Sequence, residues 1–165
     1  MVPNISKPPH YIDTATNKRY EFGEPRWRSD DANPLSVSNL PGIVKADIDT
    51  AKRSIWRYGD SLPITIDQPI SLGEGCTPLI RSPGEAGNCF FKLEWFSPTG
   101  SFKDRGASVM VSFLNQMNVR KIVADSSGNA GSAIAAYAIA AGMNVKILMP
   151  SGTQPSKITQ IRAYG

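Results

Sequence analysis

Hydrophobic positions are scarce and scattered at the start of the chain, then settle into two alternating periods. Over roughly the first 40 residues there are few long apolar runs, and Pro3, Pro8, Pro9, Pro25 and Pro34 interrupt polar sequence, which predicts turns and irregular backbone. Residues 47–58 (DIDTAKRSIWRY) read as a short helix with Asp47 or Asp49 near its start. From Asn88 the pattern becomes regular. Residues 88–96 carry the aromatic bulk of a strand, and 101–117 place Val109, Val111, Phe113, Leu114 and Met117 at helical spacing. Residues 120–124 form a short β-branched strand, 129–141 a helix of small apolar residues stopped by Gly142, and 144–149 a further strand. Pro155 opens a last helix at a position where its missing N–H costs nothing. This alternation predicts the α/β class: an open parallel sheet with helices on both faces and right-handed crossovers. Ligands of such sheets bind at the carboxyl ends of strands, where the pattern puts two turns, 97–106 and 126–131.

Both turns carry candidate chemistry. In SPTGSFKDRG, Lys103 falls just inside a helix start, with Ser101 as N-cap and Asp104 three residues on as an S-x-x-D capping box. A lysine in the first turn meets the positive end of the helix dipole, which disfavours its ammonium form. In a dry site the neutral amine would be a nucleophile able to form a Schiff base. In SSGNAG, a strand feeds a Gly-containing turn that opens a helix, so free backbone N–H groups gather at a positive dipole end. That arrangement suits a carboxylate or phosphate. Gly128 permits a positive φ or a close backbone approach, and Asn129 adds an amide donor. A third segment, SLGEGCTPL at 71–79, reads as a conformationally demanding loop leading into a strand.

Composition removes several alternatives. His10, near the terminus and preceded by two prolines, is the single histidine, so Ser-His or His-metal catalysis has no parts to work with. Cys76 and Cys89 are too few for a disulfide framework and match no metal spacing, which suggests a reducing, cytoplasmic setting. The first twenty residues contain no apolar leader segment, and the apolar stretch 133–143 is too short to span a bilayer, so no membrane association is expected. A net charge of +4 comes from scattered Lys and Arg without a compact basic block, so no nucleic-acid partner is expected either. Arg105 is expected to pair structurally with a carboxylate rather than orient substrate.

Taken in order, GEGCTPL, PTGSFKDRG and SSGNAGSAIAAYA resemble the signatures of the fold-type II family of pyridoxal-phosphate enzymes, and within it most closely the threonine synthases. The resemblance covers about residues 40–165; Phe102 before the lysine and the Gly73-Glu74-Gly75 segment lean towards that branch, while Asp104 sets the chain apart from the related dehydratases. It implies pyridoxal 5'-phosphate as cofactor, Lys103 as its Schiff-base lysine, and Asn129 as the donor to the cofactor's 3'-oxygen. It further implies that Ser126, Ser127, Gly128, Asn129 and Ala130 receive the carboxylate of a small amino-acid substrate, O-phosphohomoserine, which water converts to threonine and phosphate. The alternatives are β-replacement as in cysteine synthase, serine or threonine dehydration, or an inactive fragment. The family's glycine-rich phosphate loop and its partner for the pyridine nitrogen are not found before Gly165, so the chain is expected to be the N-terminal part of a longer, homodimeric enzyme. On this view residues 1–45 resemble a zinc ribbon that has lost its cysteines, expected as a metal-free hairpin or loosely ordered, and 46–165 begin the catalytic domain.

Overall fold

The computed structural model describes residues 8–38, 40, 42–84 and 88–165. The chain divides into two compact units. The first comprises its described residues up to Thr50 together with Arg57–Thr65. Here β1 (His10–Asp13), β2 (Arg19–Glu21) and β3 (Leu35–Val37) form an antiparallel sheet in the order β2-β1-β3. A buried carboxylate organises it. Asp13 accepts hydrogen bonds from the Ala15 and Thr16 amides at 2.8 and 3.0 Å and from Asn33 Nδ2 at 3.1 Å. A hydrogen bond from Ser29, aided by those from Thr16, Ala15 and Asn33, holds its carboxyl well below the usual range. Polar turn chemistry thus orders a segment in which hydrophobic periodicity is weak.

The helix expected over 47–58 is absent. In its place are two 3-10 segments, Lys45–Asp47 and Ile55–Ser61. The amides a helix would have used are drawn elsewhere: Asp49 N donates to the Arg57 carbonyl at 3.0 Å and Ile55 N to the Glu74 carbonyl at 2.7 Å.

The second unit comprises Ala51–Trp56 and Ile66–Gly165. Its elements are β4 (Leu79–Arg81), β5 (Phe90–Lys92), a 3-10 turn Glu94–Phe96, α1 (Lys103–Gln116), β6 (Lys121–Asp125), α2 (Asn129–Ala140), β7 (Asn144–Leu148) and α3 (Pro155–Arg162). The two strands β6 and β7 pair in parallel from Lys121↔Asn144 to Asp125↔Leu148, with α2 as their crossover. This βαβ unit is the α/β architecture expected from the pattern. The strand expected over 88–96 shortens to β5 and pairs antiparallel with β4, outside the parallel sheet. Glu94–Phe96 closes into a 3-10 turn, so the lysine turn follows that turn and not the end of a parallel strand.

The core lies where α1 and α2 meet β6: Ala107, Val111, Ile122, Ala133, Ala136, Tyr137, Ala138 and Met143. Alanines on α2 let the helices approach closely. Gly142 follows α2 with φ 68°, as its C′ role requires. The buried face of α1 is unexpectedly polar, reading Asp104, Ala107, Ser108, Val111, Ser112. Its hydroxyls serve the backbone of the preceding segment. Ser108 Oγ donates to the Ile70 carbonyl at 2.7 Å, Ser112 Oγ accepts from Ile70 N at 2.8 Å, and Trp56 Nε1 donates to Ser108 Oγ at 2.9 Å. Buried polar groups paired this way avoid the desolvation cost of about 1–3 kcal/mol each.

Candidate active site

Lys103 begins α1, with Phe102 rather than Ser101 as the cap residue. Ser101 Oγ still accepts from Lys103 N, at 3.3 Å. Asp104 does not close the expected capping box. Its carboxylate turns back one residue pair further, accepting from Thr99 N at 2.7 Å and from the Thr99 hydroxyl. The Pro98-Thr99-Gly100 turn is therefore fastened to the helix by a fully buried carboxylate. Burial pushes the Asp104 carboxyl up, with the Glu74 and Glu94 charges adding to it and the Thr99 hydrogen bonds opposing. The Lys103 side chain itself is exposed, its Nζ 4.5 Å from the centroid of the Phe102 ring. Within the described residues nothing encloses that amine.

The Gly-Glu-Gly loop is the second component. Gly73, Gly75 and Cys76 have φ of 93°, 110° and 47°. A Cβ at Gly75 would meet the backbone N of Ile55 at 2.8 Å, so no side chain fits there. Between the glycines Glu74 is fully buried, accepting from Ser71 Oγ at 3.0 Å, Leu72 N at 3.0 Å and Tyr137 OH at 2.8 Å. Burial, reinforced by the Glu74 carboxylate, pushes the Tyr137 phenol up and keeps it a donor. Through Tyr137, α2 is tied to this loop. Arg105 pairs with Glu94 at 2.9 and 3.0 Å, the structural role expected of it. Its hydrogen bond lowers the Glu94 carboxyl, and Thr77 Oγ1 donates to the same group at 2.7 Å.

The third component is the turn 126–131, at the carboxyl end of β6. Ser126 Oγ accepts from Gly128 N at 3.3 Å and Gly131 N at 3.0 Å. The backbone N–H groups of Ser127, Asn129 and Ala130 take no acceptor among the described residues. Those are the donors an anion would use. Gly128 has φ −136°, an extended value open to any residue, and a Cβ there would meet nothing within 4 Å. The positive φ considered from sequence is not used. Gly131 is the constrained glycine: its Cβ would meet the Ser126 carbonyl oxygen at 2.9 Å and Ile147 Cγ2 at 3.1 Å. Asn129 is exposed, and its Oδ1 accepts from Lys157 Nζ at 2.8 Å.

Beside this turn an open cleft of about 450 Å³ is lined by Ser127, Pro150, Gly152, Thr153, Gln154 and Lys157, where the chain leaves β7. It lies at the carboxyl ends of the parallel strands, the crevice that serves ligands in open α/β sheets. The donor set fits the anionic group of a phosphorylated aldehyde cofactor: free amides at a helix start, an amide side chain and an ammonium. Two buried hydroxyls without a partner among the described residues, Ser97 and Ser132, flank the lysine and asparagine turns. The structure joins those turns through α3, since Gln160 Nε2 donates to the Thr99 carbonyl at 3.0 Å while Lys157 holds Asn129. Sequence reading missed Thr99, Gly131, Lys157 and Gln160. The signal for Gly131 was available in the Gly-x-x-Gly spacing 128–131; the others carry no local mark.

A parallel βαβ unit with an amide-lined turn at its carboxyl edge, and a lysine opening the neighbouring helix, defines an α/β protein built to hold an anionic small molecule. The chain belongs to the pyridoxal-phosphate dependent enzyme family, which matches residues 70–165. Among curated relatives, the threonine synthase of Methanosarcina acetivorans is 33% identical over 131 residues, covering 74% of this chain and 32% of that protein. The threonine synthase of Methanocaldococcus jannaschii is 38% identical over 118 residues, 67% of this chain and 29% of its own length. That of Mycobacterium leprae is 41% identical over 117 residues, 68% and 29% respectively. The matches thus span about a third of those relatives. A PLP-bound threonine synthase from Brucella melitensis aligns with a TM-score of 0.54 at 19% identity, covering 92% of this chain and 38% of that one, a likeness of fold.

Proposed function

We propose that the chain is the lysine-bearing part of a pyridoxal-phosphate-dependent lyase of the threonine synthase type, acting on O-phosphohomoserine and water to give threonine and phosphate. The observation that carries this reading is the convergence of unpaired Ser127, Asn129 and Ala130 amides with the 450 Å³ cleft at the carboxyl ends of β6 and β7. Pyridoxal 5'-phosphate, when bound, supplies an electron sink for charge developing on the substrate carbons. Lys103 would hold the cofactor through its Nζ, and the same amine would move protons at the α and β carbons of the substrate. Residues 126–130 hold the substrate carboxylate, which fixes the breaking bond relative to the conjugated ring. Asn129 Nδ2 would be the donor to the cofactor's 3'-oxygen. Asp104, Glu74 and Tyr137 are fully buried and act within the protein: Asp104 holds the lysine turn, and Glu74 with Tyr137 ties the Gly-Glu-Gly loop to α2.

The same reading places the enzyme in the cytoplasm as a homodimer in its full form, with residues 1–45 as a separate N-terminal module and 46–165 as the start of the catalytic domain. Exposure of Lys103 Nζ favours one competing reading: a domain that presents the lysine without retaining the cofactor. Phosphate release from O-phosphohomoserine by the full-length enzyme decides between them. The reading expects release that Lys103→Ala abolishes. Turnover of O-acetylserine alone moves the assignment to a cysteine synthase, and no turnover with either substrate favours the non-catalytic domain.

A further inference from the structure

We propose that Lys157 is a positioning residue that fixes the orientation of the Asn129 amide, with α3 as the element that carries it. The two ends of an asparagine amide are nearly isosteric but chemically opposite, since the oxygen accepts and the nitrogen donates. An ammonium has donors only. Lys157 Nζ, 2.8 Å from Asn129 Oδ1, therefore tolerates one orientation of the amide and opposes its flip. With Oδ1 engaged, the end left for a ligand is Nδ2, the donor that an anionic phenolic oxygen requires. The inference rests on the reading that Asn129 serves the cofactor's 3'-oxygen.

Two further observations point the same way. Pro155 occupies the first position of α3, so Lys157 lies in its first turn, where a cation opposes the helix dipole. A lysine placed there for helix stability would be misplaced. Gln160, one turn on, donates to the Thr99 carbonyl at 3.0 Å, so α3 is anchored on the turn that precedes Lys103 while its Lys157 reaches the other turn. Lys157 also lines the cleft with Ser127, which brings its charge to the place where the anionic ligands are expected.

The test compares Lys157→Met, Lys157→Arg and Asn129→Ala in this chain by three readouts: the Asn129 side-chain NH2 resonances, the affinity for pyridoxal 5'-phosphate, and the melting temperature. Lys157→Met is expected to shift and exchange-broaden the Asn129 NH2 pair, weaken cofactor binding by about tenfold, and leave melting unchanged or slightly raised. Lys157→Arg, which keeps donors at the same place, is expected to bind within about twofold of wild type. Cofactor binding lost in Asn129→Ala but unchanged in Lys157→Met, with an undisturbed NH2 pair, overturns the positioning role alone. A large fall in melting temperature for Lys157→Met, matching the loss of affinity, assigns Lys157 a structural role and also overturns it. Unchanged binding in Asn129→Ala removes the underlying reading and the inference with it.

Discussion

Gly131→Ala and Gly106→Ala make the same chemical change in two helices and are expected to move stability in opposite directions. At Gly106, in α1, an added Cβ meets nothing within 4 Å. Alanine there gains helix propensity and restricts the unfolded chain, a stabilisation of about 0.5–1 kcal/mol. At Gly131, in the first turn of α2, the Cβ meets the Ser126 carbonyl oxygen at 2.9 Å, Ile147 Cγ2 at 3.1 Å and Ser126 Cβ at 3.3 Å. The nearest of these is backbone and cannot rotate away. Overpacking costs about 1–3 kcal/mol, and the propensity gain returns at most about 1 kcal/mol. The net expectation is a loss of up to about 2 kcal/mol. For a chain of 165 residues each kcal/mol moves the melting temperature by roughly 2–4 °C. Relief of the clash also pulls Gly131 N from Ser126 Oγ, now at 3.0 Å, so cofactor affinity should fall with stability. Urea or thermal unfolding of both variants against wild type reads the sign directly. A Gly131→Ala midpoint at or above wild type would refute the close helix–strand approach on which the asparagine turn depends.

Other outcomes follow from the buried polar groups. Tyr137→Phe removes one donor from the fully buried Glu74 and should cost about 1–3 kcal/mol in urea unfolding; a change within error would mean that Ser71 and Leu72 alone satisfy the carboxylate. Asp104 has a raised carboxyl, so the stability its protonated form contributes is fully present below the ordinary carboxylate range and is lost as pH rises through its folded value. Asp104→Asn should therefore flatten the pH dependence of unfolding over that window, and an unaltered profile would count against burial as its cause. Glu94 is lowered by Arg105, so its contribution is present above the unfolded value and lost as pH falls through the folded one. Arg105→Lys, which gives up a two-pronged contact, should shift that acid limb upward and cost about 1 kcal/mol at neutral pH.

What the sequence made legible was set by local chemistry. Gly142 and Pro155 bracket α2 and α3 within a residue because a left-handed C′ position and a first-turn proline are decided by backbone sterics alone. The pairing of β6 with β7 follows from their β-branched runs and the helix between them. Residues 47–58 misled because Asp49 N bonds to the Arg57 carbonyl, eight residues on and not at helical spacing, and Ile55 N bonds to the Glu74 carbonyl outside the segment. The buried face of α1 was hidden for a related reason. Ser108 and Ser112 look solvent-facing until the backbone of Ile70, 38 and 42 residues away, is brought against them. In the site, the motifs marked Lys103 and Asn129, whereas Lys157 and Gln160 act across 28 and 61 residues and have nothing unusual about them in sequence.

The decisive measurement is covalent. The protein is incubated with pyridoxal 5'-phosphate, reduced with borohydride, digested and mapped by mass spectrometry. One modified lysine, at position 103, is the predicted result, lost when excess substrate is present before reduction. Absence of label, or label at Lys157 or spread across surface lysines, would contradict the assignment of Lys103 as the residue that holds the cofactor.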